Sequence, residues 1–324
     1  MTPSGNDPHA HPPGLVPPEI LTPPAPGPAS APGPASASAL IVAAHGRQYR
    51  VELPDGRELL CCTRGKKSEA VCGDRVQVDI TSPGHGVINR IEPRRTLLYR
   101  SNEFKEKLIA ANVDQIILVV ATEPAFSEAL VGRCVIAAQS QGITPLILLN
   151  KCDLTERLPE ARARLATLAA LDYPILELCA QADATTLRPW LQGKTSVLVG
   201  QSGMGKSTLI NALLPEARAA TREISAALDS GKHTTTFARL YHLDRESHLI
   251  DSPGLQEFGL RHLDFSDLEQ AFPEFGPHLG QCRFRNCRHL QEPGCALQAA
   301  VSAGHITPAR MHLFQELARE LGKG

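Results

Sequence analysis

Two short stretches constrain the fold of this 324-residue chain more than any other feature, because of the order in which they come. Residues 197–208 read VLVGQSGMGKST, and residues 146–153, some fifty positions earlier, read LILLNKCD. The later stretch is an apolar strand, a glycine-rich turn and a helix start, with Gly200 to Ser207 matching G-x-x-x-x-G-K-[ST]. Glycines let successive backbone N–H groups turn inward around phosphate oxygens. Lys206 adds a positive charge at the β and γ phosphates, Ser207 a hydroxyl for Mg²⁺, and the helix N-terminus its partial positive charge. Gly200, Gln201, Ser202, Gly203, Met204, Gly205, Lys206, Ser207 and Thr208 are therefore the expected triphosphate cradle. This loop by itself does not say which base is bound.

The earlier stretch does. The carboxylate of Asp153 can accept two hydrogen bonds from the N1–H and N2–H₂ groups of guanine. Adenine offers no such pair, and a site built on hydrogen bonds rejects an analogue lacking them by ~10⁴ or more. Asn150 and Lys151 are expected to brace the loop and pack on the base, with Cys152 between them and Asp153. A second strand end, ELCAQ at 177–181, sits where another base loop would come, and a backbone N–H near Ala180 would reach guanine O6.

Past the phosphate loop, HLIDSPG at 248–254 places Asp251 at a strand end, where it would reach Mg²⁺ through water. The Gly254 N–H would sense the γ phosphate. Between the two lies GKHTTT at 231–236, whose Thr234, Thr235 and Thr236 compete to complete the Mg²⁺ shell; Thr235 is the expected ligand. The residue after DSPG is Leu255, where Ras-like enzymes carry the glutamine that orients the attacking water. Gln256 comes one place too late, and His233 is a candidate substitute whose alternative is a solvated loop histidine. Slow intrinsic hydrolysis, completed by a partner, is the expectation.

The motifs run base reader, second base loop, phosphate loop, threonines, DSPG. An ordinary GTPase begins at the phosphate loop and ends at the base loops. One order is a cyclic rotation of the other, with the cut between DSPG and the strand at 116–121. Domain termini often lie close together, so old ends can be joined and new ones opened without changing the fold. The new ends are then free to carry other modules.

Composition suggests what those are. Residues 1–38 are Pro, Ala, Gly and Ser with almost no aliphatic content, and such a segment buries too little apolar area to offset its ordering entropy. Residues 39–95 are short alternating runs separated by turn signals, which predicts a small β-barrel of OB type. Residues 96–271 alternate apolar strands with amphipathic stretches, predicting an α/β domain with a mostly parallel sheet. Residues 272–324 are Cys/His-rich and end in a helix from about Pro308. Between Arg47 and Lys107 there are thirteen Lys/Arg against nine Asp/Glu, the excess lying at Arg94, Arg95, Arg100, Lys105 and Lys107. That stretch suits either RNA phosphates or solvent. Net charge of −1 gives no strong global pull on nucleic acid. No apolar run approaches the ~18–20 residues of a membrane helix. Nine cysteines without a secretory start suggest reduced or metal-bound thiols in the cytoplasm.

In the last segment Cys282, Cys287, His289 and Cys295 gather within fourteen residues. Three thiolates and an imidazole without a water suit a closed, structural Zn²⁺ site. Arg283, Arg285 and Arg288 share that knuckle, as a phosphate-contacting patch or a charged solvent face.

Taken in order, AANVDQIILVVA, LNKCD, GQSGMGKSTLINAL, GKHTTT, LIDSPGLQEFGL and CRFRNCRHLQEPGC closely resemble the circularly permuted small ribosomal subunit biogenesis GTPase family over about residues 40–320. The resemblance implies an OB-fold, a permuted GTPase domain and a zinc module. It implies GTP hydrolysis stimulated by the 30S subunit during late maturation, with contacts to 16S rRNA; a cytoplasmic, monomeric protein that binds no membrane is expected. By position it assigns guanine to Asn150, Lys151 and Asp153, the phosphates to Gly200–Thr208, and zinc to Cys282, Cys287, His289 and Cys295. It also implies an apolar residue at Leu255, while Cys179 stands where GTPases more often have Ser. Two other readings of the motifs are a P-loop ATPase or kinase acting on a small molecule, and a nucleic-acid-binding protein whose nucleotide is only a switch.

Overall fold

Strand β1 (Ser36–His45) opens a barrel formed with β2 (Gln48–Glu52), β3 (Glu58–Thr63), β4 (Arg75–Ser82) and β5 (His85–Ile91). The structure is a computed structural model describing residues 36–65, 69–101, 106–214, 237–252, 260 and 263–322. Around the barrel the order is β1-β2-β3-β5-β4, closed by β1–β4 pairing, with β3 and β5 parallel and the other neighbours antiparallel. Alternation along β2 (eBeBi) and β3 (eBeBei) follows from one face turning inward, where Tyr49, Val51, Leu59, Val76, Val78 and Ile88 make the barrel's own core. Residues 36–38, expected in the tail, belong instead to β1, where Ser36, Ala37 and Ser38 pair with Asp79, Val78 and Gln77. The tail up to residue 35 lies outside the described residues.

Two of the basic residues singled out above have internal partners. Arg94 donates to both carboxylate oxygens of fully buried Asp74 (2.7 and 2.8 Å), and Asp74 also accepts the Val71 N–H at 2.8 Å. Arg95 bonds Asp114 at 2.9 Å. The Arg94 guanidinium closes the barrel floor and is not a free phosphate ligand, whereas Arg95, paired at the surface with Asp114, stays 66% exposed. Lys105 lies outside the described residues, as do the side chains of Arg100 and Lys107.

A two-stranded hairpin, β6 (Leu97–Ser101) and β7 (Glu106–Ala111), leads into the α/β layer. Its elements are β8 (Gln115–Ala121), α1 (Glu128–Ser140), β9 (Thr144–Asn150), α2 (Leu158–Ala169), β10 (Ile175–Glu177), α3 (Arg188–Leu191), β11 (Thr195–Val199), α4 (Lys206–Leu213), β12 (Ala238–His242) and β13 (His248–Asp251). All seven residues of β8 are buried, as a central strand covered on both faces requires. The order across the sheet is β10-β9-β8-β11-β13-β12, parallel except for β12. Counted from the phosphate-loop strand β11, this is 2-3-1-4-5-6. That is a doubly wound sheet whose winding reverses beside strand 1. The chain enters at strand 4, and residues 178–194 join strand 6 to strand 1.

Barrel and sheet share a strand. Ala43 and Ala44 of β1 pair antiparallel with Arg239 and Ala238 of β12. A register shift between Ile41 and Ala43 lets neighbours serve different cores: Ile41 faces the barrel interior, while Val42 joins the core of the α/β layer.

The C-terminal segment holds α5 (Phe265–Gln270), a 3₁₀ turn at Pro273–His278, α6 (Ala296–Ser302) and α7 (Pro308–Leu321). Four of the chain's nine phenylalanines, Phe265, Phe272, Phe275 and Phe314, cluster here with ring centroids 4.8 to 5.9 Å apart. Arg310 bonds Glu274 at 2.6 Å with both side chains 5% exposed, and Arg133 of α1 bonds Glu320 of α7 at 2.8 Å. The segment thus packs on the α/β layer and extends its core.

Candidate functional site

The ends of parallel strands gather the sequence motifs. Asn150 ends β9, Gly200 follows β11, Asp251 ends β13 and Cys179 lies just past β10. Because these strands are parallel, all four positions share the carboxyl edge of the sheet, beside the winding reversal, where doubly wound folds bind ligands. The separation in sequence between 150 and 200 disappears in space.

In the phosphate loop, Lys206 Nζ donates to the carbonyls of Gly200 (2.6 Å) and Gln201 (3.0 Å), which holds its charge at the loop mouth. Burial pulls the Lys206 ammonium below its ordinary pKa, and nearby Asp251 pulls it back up. Gly205 has φ +95°, and a Cβ there would overlap Asn150 Nδ2, so glycine is required on both counts. Met204 is buried, whereas Ser202, Gly203 and Ser207 are exposed, and Thr208 is half-buried in the first turn of α4. Gln201 turns its side chain to α1, accepting the Ser127 N–H at 3.0 Å.

The base-reader loop is bolted to the phosphate loop through Asn150, which is 2% exposed. Its Nδ2 donates to the Met204 carbonyl at 2.9 Å, and its Oδ1 accepts the Ala180 N–H at 2.9 Å. One carboxamide therefore joins three loops whose sequence order looked inconsistent. The bond also commits the Ala180 N–H, the group expected to meet guanine O6, to the brace between loops. Lys151 sits in the left-handed region (φ +62°) with Nζ on the Glu123 carbonyl at 2.7 Å. Cys152 turns back to the Leu149 carbonyl (3.1 Å), and Asp153 is exposed.

On the metal side, Asp251 is 7% exposed. Next to it, Ser252 Oγ donates to the Leu198 carbonyl at 2.6 Å, pinning this strand end to the phosphate-loop strand. Thr235, its neighbours Thr234 and Thr236, Gly254, Leu255, Gln256 and His233 lie outside the described residues.

The Cys/His cluster is assembled. The ligand atoms of Cys282, Cys287, His289 and Cys295 all lie within 4.8 Å of one another. Cys282 and Cys295 sulfurs are 4.0 Å apart, and His289 Nδ1 is 3.5 and 3.2 Å from them. A tetrahedral ion with metal–sulfur bonds of ~2.3 Å sets its sulfurs about 3.8 Å apart, so the set fits a structural metal. Burial pushes the Cys287 thiol up to about 12 and raises Cys295 as well; a divalent cation is what would favour their thiolates. Behind the cluster stands Glu269 of α5, which no sequence motif marks. Its carboxylate accepts from His289 Nε2 at 2.6 Å and so turns Nδ1 toward the thiols. No spacing rule links a helix carboxylate to a histidine twenty residues on. His289 itself sits in the left-handed region at φ +59°.

Comparisons with known proteins agree with this geometry. The RsgA GTPase family model matches residues 91–261. The small ribosomal subunit biogenesis GTPase RsgA of Ralstonia pickettii (strain 12J) is 55% identical over 289 residues, covering 87% of this chain and 92% of that protein. The protein of the same name from Burkholderia pseudomallei (strain 1710b) is 56% identical over 289 residues, covering 88% and 92%. Among solved structures, YjeQ from Thermotoga maritima superposes with a TM-score of 0.67 at 29% identity, over 90% of this chain and 100% of that one. YloQ, described as a circularly permuted GTPase, gives 0.63 at 25% identity, over 89% and 96%.

Proposed function

This chain belongs to the RsgA GTPase family, and from that premise we propose that it hydrolyses GTP on the 30S ribosomal subunit during late maturation, contacting 16S rRNA. The observation that carries the reading is the Asn150 brace. It unites a phosphate loop with a guanine-reading loop in one site, despite their rotated order. Asp153, exposed beside the brace, selects guanine by its paired N–H donors. Gly200–Thr208 hold the phosphates, with Lys206 exchanging its two carbonyl acceptors for phosphate oxygens. Ser207 and Asp251 would hold Mg²⁺, which supplies charge neutralisation at the β and γ oxygens when bound. Thr235 and Gly254 complete that side. Leu255 cannot orient water, so the ribosomal partner finishes the catalytic arrangement.

In the same reading the Cys282, Cys287, His289 and Cys295 cluster takes one structural Zn²⁺, supported by its donor set and by Glu269 behind His289. The barrel and the zinc module supply RNA contacts. The protein acts as a monomer in the cytoplasm; no described helix is long and apolar enough to cross a membrane.

The test is GTP and ATP hydrolysis by the purified protein, with and without small ribosomal subunits, at fixed Mg²⁺ and salt. Slow GTP turnover that rises strongly with the subunit, and no ATP turnover, is the expected result. Fast turnover indifferent to the subunit, or a preference for ATP, overturns the proposal.

A further inference from the structure

Leu60, Leu154, Trp190 and Phe284 are the exposed large apolar side chains among the described residues. A single exposed apolar residue is ordinary. Phe284 differs from the others in its setting. It is 42% exposed at the centre of the tip Arg283-Phe284-Arg285-Asn286, between two metal-ligand cysteines, and all four tip residues are exposed. Arg288 follows, also exposed.

Three further observations bear on this tip. It is held in place: Cys282 and Cys287 anchor both ends, the Phe284 carbonyl accepts the Cys287 N–H at 3.2 Å, and the Arg283 N–H donates to the Gly294 carbonyl at 3.0 Å. Among the described residues none of Arg283, Arg285 and Arg288 is in a salt bridge, whereas Arg94 and Arg95 both are. Its cations associate with rings: the Arg283 guanidinium lies 5.5 Å from the Phe284 centroid and that of Arg288 lies 5.1 Å from Phe265.

We propose that this tip is a stacking site for one unpaired base of a single-stranded RNA segment, with Phe284 as the platform. An aromatic face offers stacking to any base, and unpaired guanidinium groups take the flanking phosphates. Asn286 presents a donor and an acceptor to a base edge. Duplex RNA, whose bases are already stacked, does not use Phe284. The proposal deepens the RNA-contact part of the function above, and does not depend on GTP hydrolysis.

The experiment uses the full-length, zinc-loaded protein and two probes: a short single-stranded RNA carrying 2-aminopurine, and purified small ribosomal subunits. Phe284→Ala is expected to weaken oligomer binding about tenfold and to abolish the 2-aminopurine quench. Phe284→Trp restores both, and zinc content and basal GTP turnover stay at parental values. Arg285→Ala lowers the salt dependence of binding by about one counterion while keeping the quench of the bound state. Parental affinity and quench for Phe284→Ala overturn the proposal. Parental affinity and quench for Phe284→Leu also overturn it, because simple apolar contact then suffices. If Phe284→Ala weakens subunit binding but not oligomer binding, the tip meets a ribosomal protein and the proposal fails. Phe284-dependent quenching by a protein that the subunit does not stimulate would leave this site standing and remove only the 30S reading.

Discussion

Asn150 and Glu269 each do work that the neighbouring, more conspicuous residues cannot. Asn150 fixes loop geometry, and in the proposed reading base choice falls to Asp153, so the two can be separated by substitution. Asp153→Asn, which replaces one acceptor oxygen by a donor, is expected to move preference from GTP toward xanthosine triphosphate without changing the fold, read by competition binding. Had the site been an adenine site, the same change would not create xanthine preference. Glu269 bonds the metal-cluster histidine at 2.6 Å. Glu269→Gln keeps the shape of the side chain and loses the charge. Zinc affinity, measured by chelator competition, should fall about 10–100-fold, while the four ligands remain. Unchanged affinity would mean that the ring is oriented by packing on Phe265 and Phe314 alone.

Strand β1 carries the consequences at the next scale up. Its sequence SASALIVAAH has three consecutive buried residues, Ile41, Val42 and Ala43, because the bulge lets it pair with β2 and β4 on the barrel and with β12 on the sheet. Pure alternation would have predicted a strand with one wet face. The barrel floor follows the same logic, since Arg94 looks like surface charge in the sequence yet bonds fully buried Asp74. Asp74→Ala leaves a half-buried guanidinium and the Val71 N–H without their acceptor, so it should cost roughly 3–5 kcal/mol. Chemical denaturation measures this directly. Arg94→Ala should leave the salt dependence of RNA binding unchanged, whereas loss of a phosphate ligand would lower its slope by about one counterion.

For the whole molecule, the two cores predict how it comes apart. Ile41, Tyr49, Val51 and their neighbours form one cluster inside the barrel. A second cluster runs without a break from β8 and β9 to Phe272, Phe275 and Phe314 of the C-terminal segment. Calorimetry of the zinc-loaded protein should therefore show the barrel as one cooperative unit, and the α/β layer with the zinc module as another. Removing zinc should lower the midpoint of the second transition and leave the first in place. A third transition, seen only after chelation, would show that the module unfolds independently of the sheet.

Much of this was legible in the chain because its chemistry is local. A glycine-rich turn between strand and helix, NKCD after a buried strand, and three cysteines with a histidine each carry their meaning in a few adjacent residues. Their rotated order even dictated the permutation, since only a cyclic shift lets both halves of a guanine site be real. The sequence thereby determined the GTPase class, the barrel in front and the Cys/His cluster behind. Tertiary structure alone decided what depends on residues far apart meeting. Asn150 joining Met204 and Ala180, Arg94 spent on Asp74, Glu269 behind His289, and β1 shared by two sheets all have partners 20 or more positions distant. Such pairs leave no period or spacing in the sequence, because the free energy that selects them comes from burial and hydrogen bonding after the elements have packed.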